Sequence, residues 1–152
     1  MPDLLVPLYR LPAVDVPDGM WVGVPLPHRS GSVLDYIGRT FSREWMDEAS
    51  VAFCRTPPTM KVVVFEDTGS IEGFCCWDCT AKGFLGPVGV SPERRGSGAG
   101  RSVVLSVLHS MRESGYAYAV IGGAGPVEFF QRICDARVIE GSEPGIYGTP
   151  LK

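Results

Sequence analysis

The 152-residue sequence predicts a mixed α/β fold, a mostly antiparallel central sheet flanked by helices. Three observations predict it. Lys61 to Val90 holds three short apolar runs separated by tight turns, the mark of an antiparallel meander. After Pro92 the apolar period changes to that of a helix, with Val103, Val104, Val107, Leu108 and Met111 on one face. A further strand, Tyr116 to Gly122, follows that helix, so strand, helix and strand make a parallel crossover.

Residues 1–29 hold six of the thirteen prolines. Proline fixes φ and removes a donor, so this stretch reads as an extended arm or edge strand. Met20 to Val24 is its strand, and the expected division is an N-terminal arm, 1–19, before a single domain, 20–152. Ser30 or Ser32 can cap a helix over Val33, Leu34, Tyr36 and Ile37. Ser42 can cap a second, reaching Phe53 with Trp45, Ala49 and Ala52 on one face, before Pro57 and Pro58 stop it. The strands of the meander are Lys61 to Glu66, Ile71 to Cys79 and Phe84 to Val90. Gly115 ends the long helix, and Pro126 opens another running to Cys134. Val138 onward is expected to add one or two closing strands around Glu143-Pro144-Gly145, and its apolar residues could pair two subunits in a homodimer.

The bulk composition narrows the function. Net charge is −3, so there is no overall basic field to hold nucleic acid. The longest uncharged apolar stretch, Tyr116 to Val127, is about half of the roughly 20 residues that cross a bilayer. With no signal-peptide pattern at MPDLL, no membrane partner and a cytoplasmic location are expected. Cys54, Cys75, Cys76, Cys79 and Cys134 are an odd set without a disulfide framework. Cys76 and Cys79 form a C-x-x-C, but no second ligand pair stands at zinc spacing, so no metal is expected.

The distinctive stretch is Ser91-Pro-Glu-Arg-Arg-Gly-Ser-Gly-Ala-Gly-Arg, residues 91–101, which follows a strand and opens the long helix. A helix N-terminus offers unpaired N–H groups and a partial positive charge. Glycines let that backbone approach a bulky anion, which suits a phosphate or pyrophosphate. Arg94, Arg95 and Arg101 add charge on an otherwise acidic protein. A Walker A loop needs a lysine that is absent here, and a dinucleotide-binding G-x-G-x-x-G needs a third glycine at another spacing.

Arg95-Gly96-Ser97-Gly98-Ala99-Gly100 instead resembles the [QR]-x-x-G-x-[GA] acyl-CoA loop of the GNAT superfamily of N-acetyltransferases. The preceding strand FLGPVGV, the following helix and the later GPVEFFQRICDARVIEGS extend the resemblance from about residue 20 onward. The resemblance implies a GNAT-type sheet with a splayed strand pair holding acyl-CoA, and an enzyme that moves acetyl from acetyl-CoA, its co-substrate, to a primary amine by direct transfer. It assigns the CoA pyrophosphate to the backbone of Gly96, Ser97, Gly98, Ala99, Gly100, Arg101 and Ser102, with Arg94, Arg95 or Arg101 as cations. It assigns pantetheine to the strand edge at Val88, Gly89 and Val90. The family's acid, a tyrosine on the final helix, falls at Phe130, another residue expected at the cofactor. Asp78 is then the candidate base, and Tyr147 or Tyr118 a substitute acid. The departure at Phe130 keeps a second reading open, a non-catalytic module that binds or senses acyl-CoA.

Overall fold

Gly73, Phe74, Cys75, Cys76 and Trp77 are five consecutive buried residues on one strand. A strand reads this way when helices cover both faces of its sheet. The computed structural model describes residues 1–148. Its seven strands are β1 (Leu4–Pro7), β2 (Met20–Gly23), β3 (Met60–Phe65), β4 (Ser70–Trp77), β5 (Phe84–Val90), β6 (Tyr118–Ile121) and β7 (Arg137–Val138). They form one sheet in the order β2-β3-β4-β5-β6-β1-β7. Every pairing is antiparallel except β5 with β6. The mostly antiparallel α/β sheet is therefore the one the sequence predicts.

Helices α1 (Ser30–Thr40) and α2 (Arg43–Ser50) cover one face. Val33, Ile37 and Ala49 pack there on Val62, Phe74 and Cys76. Helices α3 (Ala99–Glu113) and α4 (Val127–Cys134) cover the other, where Val103, Val107, Leu108 and Ile133 meet Val63, Cys75 and Trp77. Ser42 caps α2 as expected, its Oγ accepting the Trp45 N–H at 3.1 Å. Neither Ser30 nor Ser32 caps α1: a 3-10 turn over Pro27–Arg29 leads directly into it, and Ser32 Oγ donates to the Arg29 carbonyl at 3.0 Å. No helix among the described residues is long and apolar enough to cross a membrane.

Residues 1–19 correct the expected arm. β1 lies inside the sheet, paired with β6 from Leu4 opposite Ile121 to Pro7 opposite Tyr118, and with β7 on its other edge. Leu4, Val6 and Leu8 are 0% exposed. Pro2 precedes the strand and Pro7 ends it, so the residues between keep their ladder donors. The chain from Leu11 to Asp18 then follows α3, where His109 Nε2 donates to the Pro12 carbonyl at 2.7 Å and Ser102 Oγ to the Asp15 carbonyl at 3.0 Å.

The expected C-terminal strands are corrected as well. β1 already occupies the edge of β6, so among the described residues the last segment pairs only with the outer edge of β1, over the two residues of β7. The Glu143-Pro144-Gly145 stretch is a bend with Gly145 at φ +75°, and a 3-10 turn at Ile146–Gly148 follows. Residues 149–152 of the expected closing segment lie outside the described residues.

Candidate functional site

The site begins where two parallel strands part. β5 and β6 pair only through Phe84 with Val120 and Leu85 with Ile121. Beyond Leu85, β5 continues to Val90 while β6 has ended. Gly86 stands at φ +131°, a conformation open to glycine, and the β4–β5 register shifts at the same level. From Val88 to Val90, β5 is therefore bonded to β4 on one side and open on the other. A cleft of about 740 Å³ fills that opening, with Val88, Gly89 and Val90 on its wall.

The alternating glycines close one end of the cleft. Gly96, Gly98 and Gly100 line it, whereas Ser97, Ala99 and Ser102 do not. Ser97 Oγ donates to the Arg94 carbonyl, Ala99 is buried, and Ser102 is committed to Asp15. The pattern is physical: the glycines face the cleft, and the intervening side chains turn into the protein. Gly96 at φ +80° and Gly98 at φ +91° need the left-handed region. A Cβ at Gly100 would come within 3.4 Å of Phe129 and narrow the cleft. Gly98 is the N-cap of α3 and brings no capping side chain; Ser97 Oγ accepts the Ala99 N–H at 3.4 Å, and a helix N-terminus of this kind suits an anion.

The three expected cations divide. Arg94 is committed to the protein: its two Nη atoms bond both Asp67 carboxylate oxygens at 2.7 and 3.0 Å, and its Nε bonds Glu72 at 3.0 Å. The guanidinium also lies 4.1 Å from the centroid of the Phe65 ring. Its hydrogen bonds hold the Asp67 carboxyl below the usual carboxylate range. Arg94 thus fastens the loop to β3 and β4 while itself lining the cleft. Arg95 and Arg101 line the cleft and form no ion pair among the described residues. Arg132, on α4, lines it too and is equally free of ion pairs among the described residues. Sequence reasoning missed Arg132; its signal was a spacing of three from Phe129, the same face of a helix.

A model of the acetyltransferase (GNAT) family matches residues 31–134, more than half of the chain. The chain belongs to the GNAT family. Among solved structures, a GCN5-related N-acetyltransferase from Sphaerobacter thermophilus superposes with a TM-score of 0.73 over 91% of this chain and 48% of its own, at 20% identity. A GCN5-related glucosamine N-acetyltransferase region of a fungal multi-domain GH3 beta-N-acetylglucosaminidase gives 0.72 over 91% of this chain and 19% of its own, at 15% identity. A GNAT family acetyltransferase from Brucella melitensis, solved with acetyl-CoA, gives 0.55 over 74% and 80%, at 19% identity. The chain thus spans half or less of the first two proteins. No curated protein matches it.

The acid and base candidates of this GNAT domain fall outside the cleft lining. Asp78 closes the turn between β4 and β5: its Oδ1 accepts the Gly83 N–H at 2.7 Å, and both carboxylate oxygens accept from the Tyr116 hydroxyl at 2.9 Å. Tyr147 donates to Glu48 Oε2 at 3.0 Å, and burial raises its pKa. Tyr118 is exposed at the opposite end of β6, edge-on to Tyr9. Phe130 is 2% exposed and packs in the α3–α4 core, reaching the cleft only as part of its back wall, while Phe129 is the more open of the pair. The Cys134 thiol is buried, bonds the Phe130 carbonyl and is pushed up to about 12 by desolvation, so it is no nucleophile.

On the α1–α2 side the cleft ends in an aromatic wall. Phe41 and Trp45 stack with ring centroids 5.3 Å apart. Gly89 permits this, because a Cβ there would lie 2.6 Å from the Phe41 ring. A more open hollow of about 1160 Å³ lies between α1 and β2–β4. It is larger, but none of the three alternating glycines lines it, and the buried Tyr36–Ser91 hydrogen bond of 2.7 Å stands on its wall.

Proposed function

We propose that the chain is an N-acetyltransferase that moves acetyl directly from acetyl-CoA to the primary amine of an acceptor. The observation that carries the proposal is the loop whose three alternating glycines all face a cleft at the open edge of β5. Gly96 to Arg101 hold the pyrophosphate through backbone N–H groups, with Arg95 and Arg101 as counter-charges. The free edge of Val88 to Val90 pairs with the pantetheine amides. The thioester then rests where β5 leaves β6, with the amine entering from the Phe41–Trp45 side. The amine attacks the carbonyl carbon, the C–N bond forms, and the C–S bond breaks. The five free cysteines suit a reducing, cytoplasmic setting.

Titration calorimetry with acetyl-CoA, followed by thiol release over an amine panel, tests this. Binding with thiol release and ternary-complex kinetics is expected. Absence of acetyl-CoA binding overturns it. One observation favours the second reading, an acyl-CoA binding module: the cleft lining among the described residues contains no Tyr, His, Asp or Glu. That reading predicts binding without thiol release on every amine.

Arg132 extends the proposal, as the third cation toward the cofactor's phosphates. Arg132→Gln is expected to weaken CoA binding by about fivefold, as befits an exposed pair, with a smaller deficit in high salt. If Arg132 meets the 3′-phosphate, dephospho-CoA binds wild type and variant alike; calorimetry with both ligands decides.

A further inference from the structure

Acetyl transfer requires the acceptor ammonium to lose a proton, yet among the described residues the charged side chains lining the cleft are all arginines. An organised carboxylate stands beside the cleft on α2. Glu48 accepts the Tyr147 hydroxyl at 3.0 Å on Oε2 and the Thr80 hydroxyl at 3.0 Å on the same oxygen. These three residues come from a helix, the β4–β5 turn and the C-terminal segment, so only the fold assembles them. Glu48 forms no ion pair among the described residues and is half-buried.

None of the three lines the cleft itself, but two neighbours tie the cluster to it, one through the aromatic wall and one through the end of β6. Trp45, three residues before Glu48 on α2, lines the cleft, and residues three apart on a helix are surface neighbours about 5–6 Å apart. Tyr147 lies against Gly123, its Cδ2 3.0 Å from where a Cβ would stand, and Ile146 lies against Gly122. Those glycines immediately follow Ile121, the last β6 residue paired with β5. The carboxylate therefore sits between the aromatic wall and the point where the strands separate.

We infer that Glu48 receives the acceptor's ammonium group and takes its proton, and that the site selects a primary alkylamine on an apolar body packed against Phe41 and Trp45. The inference rests on the acetyl-transfer reading above. In the step, the R–NH3⁺ group gives one proton to the Glu48 carboxylate, and the freed lone pair attacks the thioester carbon. The C–N bond forms and the C–S bond breaks. The second proton lost from nitrogen balances the departing thiolate as CoA thiol. Tyr147 and Thr80 are positioning residues that hold the carboxylate by donating to it.

The test compares phenethylamine, protonated at neutral pH, with aniline, which is not. Glu48→Gln is expected to keep wild-type acetyl-CoA affinity and to lower kcat/KM for phenethylamine by about 100-fold. Its kcat/KM for aniline is expected to fall far less, because that amine arrives without the extra proton. Tyr147→Phe is expected to show the same selectivity with a smaller loss. An equal loss on both amines, no loss on either, or a wild type that binds acetyl-CoA yet acetylates neither amine overturns the assignment of Glu48. A wild type that binds no acetyl-CoA overturns the parent reading, and this inference with it.

Discussion

Gly98→Val is expected to weaken acetyl-CoA binding by at least about 10-fold, a loss of about 1.4 kcal/mol, while the protein still folds. Gly98 stands at φ +91° as the N-cap of α3 and lines the cleft. Valine at that φ is strained by about 1–2 kcal/mol. Its Cβ would also lie 3.2 Å from Pro17 Cγ. For a domain of this size the strain lowers Tm by about 2–8 °C. The binding loss has another source: the valine methyls stand between the anion and the N–H groups of the first turn. Calorimetry with thermal unfolding on the same sample separates the two effects. Undiminished affinity in a folded variant would remove the glycine loop from the cofactor site.

Val6→Asp is expected to leave no stably folded protein. Val6 is 0% exposed and lies in β1 opposite Ala119. An unpaired carboxylate there costs several kcal/mol, against a total domain stability of about 5–15 kcal/mol. Leu4→Ala is the milder companion, expected to lose about 2–5 kcal/mol through a cavity beside β6. Urea unfolding of the Leu4 variant and the far-UV signal of the Val6 variant measure both. If residues 1–19 were a detachable arm, each change would stay within about 0.5 kcal/mol.

The contrast between these two positions marks what could be read from the residues alone. The glycine loop was legible because its requirement is local: backbone conformation, spacing and adjacent arginines lie within eleven residues. The β3–β5 meander, the Ser42 cap and the apolar face of α3 were legible for the same reason. The proline-rich start misled, because proline spacing reports local stiffness and not which neighbour a strand will find. Leu4-Leu5-Val6 reads as an extended segment, and its place between β6 and β7 is a pairing across more than 110 residues.

The same division runs through the site. The sequence by itself determined the family resemblance and the glycine loop that carries it; the parting of β5 from β6 after Leu85 came from the fold. It could not rank Arg94, Arg95 and Arg101, because a guanidinium's role depends on which carboxylates the fold brings beside it, and only Arg94 meets Asp67 and Glu72. Nor could it find Glu48, an ordinary acidic residue on an amphipathic helix until Thr80 and Tyr147 close around it. Backbone conformation is dictated by near neighbours in the chain, and the sequence carries it openly. Electrostatic pairing and hydrogen-bond partnership are dictated by neighbours in space, and only the tertiary structure decided those.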